Sequence, residues 1–388
     1  MTLGLDIDRA RLVRRTQAFV QHRSEQTDLL EAEPAVRQFI DQAVAPVLRD
    51  HFIAPRFDDM GNLLATLGPE PRDDCLAFVT YAMTHPAASM VAPFDGDVVD
   101  TPNGPAVRGR GVCEQKAALA AALEAFLAAA CLPAERPLAF IVLTSGETGR
   151  HDAVAAAVQA LGVVPSRAVV AIGTDNKVSL GNRGRVDFDV VAGGLSCHSS
   201  TPWLGRNAID AVGPVLDWAA AQAAGLGADP DLGPATLTPT AIRTAPEATH
   251  TIPSDVRITF DRRLIPGEQP GPVMADLKRS LAGLGLARVG IEPGPIMHAC
   301  QLAADSPFVA LIQAAVADAD LGQASLCHSQ SALDAGFFAH HGASAVMWGP
   351  GHPDLFHSAD ERVGVDDIVW ATRAYLAVMD AWATGDRP

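Results

Sequence analysis

The sequence predicts an α/β fold: a larger domain on a mixed, mostly parallel sheet flanked by helices, interrupted by a smaller inserted α+β domain. Three observations predict it. Short continuous apolar runs alternate with helix-period segments through the first half, the rhythm of a parallel sheet with helices on its faces. From Arg185 the pattern changes to one-in-two alternation, R-V-D-F-D-V-V-A, which reads as strands with one exposed face. After about Ile296 the continuous apolar pattern returns.

The elements follow in order. Residues 8–48 carry apolar positions three and four apart and read as helical, with Pro34 as a break or first-turn residue. Within 57–67, D-D-M-G-N-L-L-A is a turn leading into a strand; 76–82 is a buried strand and 114–131 a long Ala/Leu-rich helix. A strand at 138–143, a helix at 151–161 and a strand at 167–172 complete the first half. Alternation recurs at 255–263, with helices near 206–224 and 270–283. S-A-V-M-W-G-P-G supplies a further strand and 366–382 a closing helix. The larger domain is therefore expected at 1–184 and 296–388, and the insertion at 185–295.

Composition sets limits. A chain of 388 residues is long for one core. Its formal charge of −16 argues against nucleic acid or an anionic membrane as partner. The N-terminal M-T-L-G-L-D-I-D-R-A lacks a signal-peptide pattern, and no apolar run is long enough to span a bilayer. Six scattered cysteines without a C-x-x-C pair fit a reduced, cytoplasmic setting.

The richest stretch is T-S-G-E-T-G, Thr144 to Gly149, at the end of the 138–143 strand. It delivers a carboxylate, Glu147, to the strand's C-terminal end, where open α/β sheets bind ligands. Five further segments stand in order along the chain: D-D-M-G-N-L ending at Leu63, G-R-G-V-C-E-Q-K at Gly109 to Lys116, and G-L-S-C-H-S-S-T-P-W-L-G-R-N-A-I at Gly194 to Ile209. I-P-S-D with D-R-R-L-I-P-G covers Ile252 to Gly267, and G-P-G with H-S-A-D-E covers Gly349 to Glu361. Together these segments resemble the M20 metallopeptidase and amidohydrolase family over nearly the whole chain.

The resemblance implies a catalytic domain that carries metal and an inserted lid that mediates dimerisation. In the family a strand ends in Glu-Glu-x-Gly, the first Glu being the general base and the second a metal ligand. Here Glu147 matches the second, and Gly146 stands at the first. One family metal site maps onto Glu114, Glu147 and His357, which can hold zinc, manganese or cobalt. The other maps onto Tyr81 and Met83, where the family has His and Asp, and near Thr174, with Asp175 an alternative. One ion at most, or none, is expected. His85, four residues beyond Tyr81, is a substitute whose aim a Pro turn would change. In the lid, His198 matches a histidine that reaches the other subunit's site to stabilise an oxyanion. Asn207 and Arg263 match substrate-binding residues, the guanidinium suiting a carboxylate, and His250 stands where the family has Asn.

Each residue also has a plainer reading. Glu147 could pair with Arg150, Glu114 could favour a helix start, His357 and His85 could be loop residues, Asn207 a helix cap, and Arg263 a partner of Asp261. Cys113, at a helix start, could be an acidified thiol or a buried filler. The expectation is a hydrolase of an amide or related C–N bond in a small, carboxylate-bearing, N-acyl amino acid-like substrate. Its catalytic residues are Glu147, His198, His85 and Tyr81, and it is expected to be a homodimer through the lid. The alternatives are a metal-independent hydrolase, isomerase or cyclase in the same pocket, or a non-catalytic small-molecule binder.

Overall fold

The computed structural model describes residues 7–146 and 149–385. The chain divides into two compact units. The first comprises Met1–Gly181, Gln301–His328 and Phe337–Pro388; the second comprises Asn182–Cys300 with Ser329–Gly336. That short return segment has no hydrophobic period to announce it. It packs by backbone, since a Cβ on Gly336 would collide with the His298 carbonyl.

The first unit is built on a mixed sheet whose order begins 56–57, 63–67, 138–143, 76–81, 167–171, 344–348. The four strands Leu138–Leu143, Leu76–Tyr81, Arg167–Ala171 and Ser344–Trp348 run parallel. Both Leu76–Tyr81 and Leu138–Leu143 are buried at every position, which is why they read as continuous apolar runs. Helices Ala117–Ala129 and Val365–Ala383 join the same core, with Phe78, Phe126, Phe140, Trp348 and Tyr375 fully packed. The expected helix over 8–48 is broken. Arg9–Gln21 is capped by Asp8, and helical structure resumes at Pro34. The intervening Ser24–Gln26 segment crosses to the sheet: Thr84 donates to the Ser24 carbonyl and Gln26 to the Thr84 carbonyl, both at 2.8 Å.

The second unit is an antiparallel four-stranded sheet in the order 236–245, 255–264, 184–193, 289–297. Val186, Phe188, Val190, Val256, Ile258 and Phe260 share its covered face with Trp218, Leu277 and Leu281 from the helices Val212–Ala224 and Pro270–Ala282. The other face carries the charged partners of the alternation, Arg185, Asp187, Asp189, Arg257, Asp261 and Arg263. Among the described residues no helix is long and apolar enough to cross a membrane.

Candidate active site

G-R-G-V-C-E-Q-K places Glu114 where the long helix begins. Val112–Lys116 winds as a π turn before the α-helix Ala117–Ala129 starts, and the Lys116 amide donates to the Gly111 carbonyl at 2.8 Å. Single π turns of this kind recur at functional positions. Two glycines admit this turn to the sheet edge. A Cβ on Gly173, after strand Arg167–Ala171, or on Gly351, after strand Ser344–Trp348, would collide with the Cys113 carbonyl oxygen. The Gly173 amide donates to the Glu114 carbonyl at 2.9 Å. Glu114 is thereby fixed at the C-terminal ends of the parallel strands.

Beneath it lies a buried charged network. Glu361 accepts the Cys113 amide at 3.0 Å and pairs with Arg110 at 2.7 Å. Burial pushes Glu361 above the usual carboxylate range, against the pull of Arg110 and the backbone N–H groups of Gly111, Cys113 and Glu114. The Arg110 guanidinium also donates to the carbonyls of Ala87 at 3.0 Å and of His357 and Ser358 at 3.3 Å. One side chain therefore ties together the loops bearing His85 and His357. Lys116 is fully buried, donates to the His22 carbonyl at 2.5 Å and lies 4.9 Å from the Phe39 ring centre. Burial lowers its pKa to about 7.

The loop after Gly351 returns His357 to Glu114. His357 holds φ +58°, a left-handed conformation costly for a non-glycine residue, and the Arg110 contacts to its carbonyl hold the chain there. His357 Nε2 lies 3.0 Å from Glu114 Oε2. His85 stacks on His357 with ring centres 3.9 Å apart and planes at 22°. The Pro86 turn therefore aims His85 at this pair, with Thr84 pinned by Ser24 and Gln26. The anchoring roles of Arg110 and Glu361 were not read from the sequence, although both stand in the G-R-G and H-S-x-x-E motifs.

Glu147 lies outside the described residues. The strand end leading to it is anchored by Asn62 of D-D-M-G-N-L, whose Oδ1 accepts the Thr144 amide at 2.8 Å and the Thr144 hydroxyl at 3.0 Å. Asn62 Nδ2 donates in turn to Asp58 and to the Ala153 carbonyl. Arg150, the alternative partner for Glu147, is 3.8 Å from Asp152.

The positions matching the other family metal site carry neutral, buried groups. Tyr81 and Met83 are each 1% exposed. The Thr174 hydroxyl donates to the Lys177 carbonyl at 2.6 Å and accepts the Gly349 amide. Asp175 pairs with Lys177 at 3.0 Å, which accounts for its carboxylate. A phenol, a thioether and a turn threonine are poor donors for a borderline or hard cation. Among the described residues no three His, Cys, Asp or Glu side chains form a ligand cluster. Glu114 and His357 offer a carboxylate and an imidazole, donor types a borderline cation takes, whereas Tyr81 and Met83 offer neither.

Cys113 corrects the idea of an acidified thiol. Burial raises its pKa above the ordinary range, and its Sγ donates to the His352 carbonyl. The filler reading holds. All six cysteines are free.

In the second unit, strand Cys197–His198 pairs with Thr251–Ile252, and the His198 and His250 rings lie parallel with centres 6.4 Å apart. His198 Nδ1 is 2.8 Å from the Ser200 hydroxyl. Asn207 caps the turn Ala208–Ala211, accepting the Ile209 amide at 3.1 Å. Arg263 forks onto Asp261, with Nε and a terminal nitrogen 2.8 and 3.0 Å from the two carboxylate oxygens. A substrate carboxylate would have to share or displace that partner.

A family model for peptidase family M20/M25/M40 matches residues 84–381. The chain belongs to peptidase family M20/M25/M40. It is 27% identical over 355 residues to a succinyl-diaminopimelate desuccinylase of Rhodospirillum centenum, covering 87% of this chain and 88% of that one. An M20 family metallo-carboxypeptidase, Sso-CP2 from Sulfolobus solfataricus, superposes with TM-score 0.77 at 13% identity, covering 98% of this chain and all of the other. The Bacillus subtilis YXEP protein, described as a dinuclear metal-binding peptidase of the M20 family, superposes with TM-score 0.67 at 12% identity over 97% of this chain and 98% of its own. The named relatives are hydrolases.

Proposed function

We propose that this protein hydrolyses an amide or related C–N bond in a small, carboxylate-bearing substrate of the N-acyl amino acid kind, with one cation at most. The observation that carries this reading is the 3.0 Å approach of His357 Nε2 to Glu114 Oε2 under the stacked His85 ring. Glu114 and His357, with Glu147 as the family match assigns it, are the residues to hold zinc, manganese or cobalt. Such an ion would supply Lewis-acid polarisation of the scissile carbonyl. Before an ion binds, the Glu114 hydrogen bond orients the His357 ring. His85 exchanges a proton with a water or leaving group beside the pair, a role supported by its stacking on His357 and by the Arg110 contact to Ala87.

The lid roles belong to the same proposal. His198 donates to the developing oxyanion, while Arg263, Asn207 and His250 contact the acid-bearing end of the substrate. A homodimer through the lid supplies His198, and the exposed Leu195, Trp203 and Leu204 around it favour a protein interface. The direct Glu114–His357 hydrogen bond also favours a second reading, in which this carboxylate–imidazole pair performs metal-independent acid–base chemistry with Tyr81.

Metal content and turnover test both. The protein is purified without chelator, its zinc, manganese and cobalt measured, and N-acyl, N-carbamoyl and peptide substrates assayed with and without added metal. About one cation per chain, lost in Glu114→Gln and His357→Ala together with turnover, is expected. Turnover without any cation selects the second reading, and no turnover on any substrate refutes both.

A further inference from the structure

Two departures from the family pattern, Tyr81 and Gly146, stand at the ends of neighbouring parallel strands, where Tyr81 pairs with Leu143. A Cβ built on Gly146 would lie 2.5 Å from Tyr81 Cδ1, 2.6 Å from Cε1 and 3.0 Å from Cγ. Gly146 is not among the residues with positive φ, so the backbone itself does not demand glycine. The demand comes from the ring. The contacted atoms are the near edge of an aromatic side chain that is 1% exposed and based on a strand buried at every position, and such a ring cannot swing aside as a flexible chain end could.

We propose that Tyr81 and Gly146 are a steric lock: the Tyr81 ring fills the space into which the family's base would project, and it closes the second divalent-cation position in the same stroke. Met83, buried two residues further along and offering only a thioether, completes the closure. The two departures are then one event. A carboxylate cannot return at position 146 while the ring is present, and a histidine at position 81 alone restores neither the base nor the acidic donor. Metal-assisted chemistry in this chain is thereby confined to the Glu114–His357 side. The cation count in this inference rests on the proposed one-cation reading, whereas the lock itself does not.

The lock is tested by a thermal double-mutant cycle on metal-free protein. Gly146→Ala in the wild-type background should lower Tm by about 2–4 °C, the scale of overpacking the core of a chain this long. In a Tyr81→Ala background it should shift Tm by less than about 1 °C, while Tyr81→Phe, which keeps the ring, should give no relief. Equal losses in all three backgrounds would overturn the lock. If single Tyr81 variants fail to fold, Gly146→Ala and Gly146→Glu against Tyr81→His/Gly146→Glu provide the comparison, with the double variant expected to melt higher than Gly146→Glu alone. In a second arm, zinc titration followed by calorimetry should give no more than one site in the wild type and a second site in Tyr81→His/Met83→Asp/Gly146→Glu/Thr174→Asp, which restores every donor of the matched site; no second site there would overturn the closure. Two sites in the wild type would overturn the closure even if the cycle succeeds. Loss of turnover in Glu114→Gln bears on the proposed function alone, so the two can fail separately.

Discussion

Lys116 offers the most quantitative test of how the Glu114 turn is held. Its ammonium is fully buried against the His22 carbonyl and the Phe39 ring, and burial lowers its pKa from 10.5 to about 7 against the opposing pull of Glu361 and Glu25. The unfolded chain keeps the ordinary value, so between the two values the unfolded state binds more protons and stability rises with pH. Below about pH 7 both states are charged and the full burial penalty applies. Going from about pH 7 to about pH 9, the group should relieve about 2 kcal/mol of that penalty at 1.36 kcal/mol per pKa unit. Buried Cys75 and Cys300, both raised to about 12, act in the opposite direction once unfolded thiols ionise. Comparison with Lys116→Met cancels them. Urea unfolding of both proteins, followed by circular dichroism at several pH values, should show the wild type gaining about 2 kcal/mol on the variant across this interval. A difference independent of pH would refute the buried, depressed lysine.

Three further outcomes are expected. Arg110→Met leaves Glu361 buried without its 2.7 Å partner and frees both histidine loops, so urea unfolding should show a loss of about 3–5 kcal/mol. Asn62→Ala strips the buried Thr144 amide and hydroxyl of their acceptor; denaturation should register about 1–3 kcal/mol, and turnover should fall as the strand end before Glu147 loosens. Asp261→Asn weakens the fork that holds Arg263, and steady-state kinetics should show a lower KM for carboxylate-bearing substrates with kcat little changed; an unchanged KM would remove Arg263 from substrate binding.

The continuous apolar runs at 76–81 and 138–143 and the alternation at 184–193 were legible because period and burial are local signatures of a buried strand and a half-covered sheet. The break between Gln21 and Pro34 was not, because Ser24–Gln26 leaves the helix to meet Thr84, a partner nearly sixty residues away. The return of Ser329–Gly336 to the second unit was hidden for the same reason, its packing being backbone against backbone. The motif residues Glu114 and His357 could be named because their segments resemble the family's, and the same comparison showed that Gly146, Tyr81 and Met83 depart from the family pattern.

The sequence by itself determined the fold class, the family and the inventory of side chains, since periodicity and motif order are properties of a string. Only the tertiary structure decided which of those side chains meet. It set His85 on His357 rather than away from it, gave Arg263 to Asp261 and Asp175 to Lys177, and buried Cys113 as an inert thiol. It also joined Tyr81 to Gly146, because residues 65 positions apart become neighbours only when parallel strands bring their ends to one edge. Contact across a sheet is set by register and packing, and neither is written in local sequence.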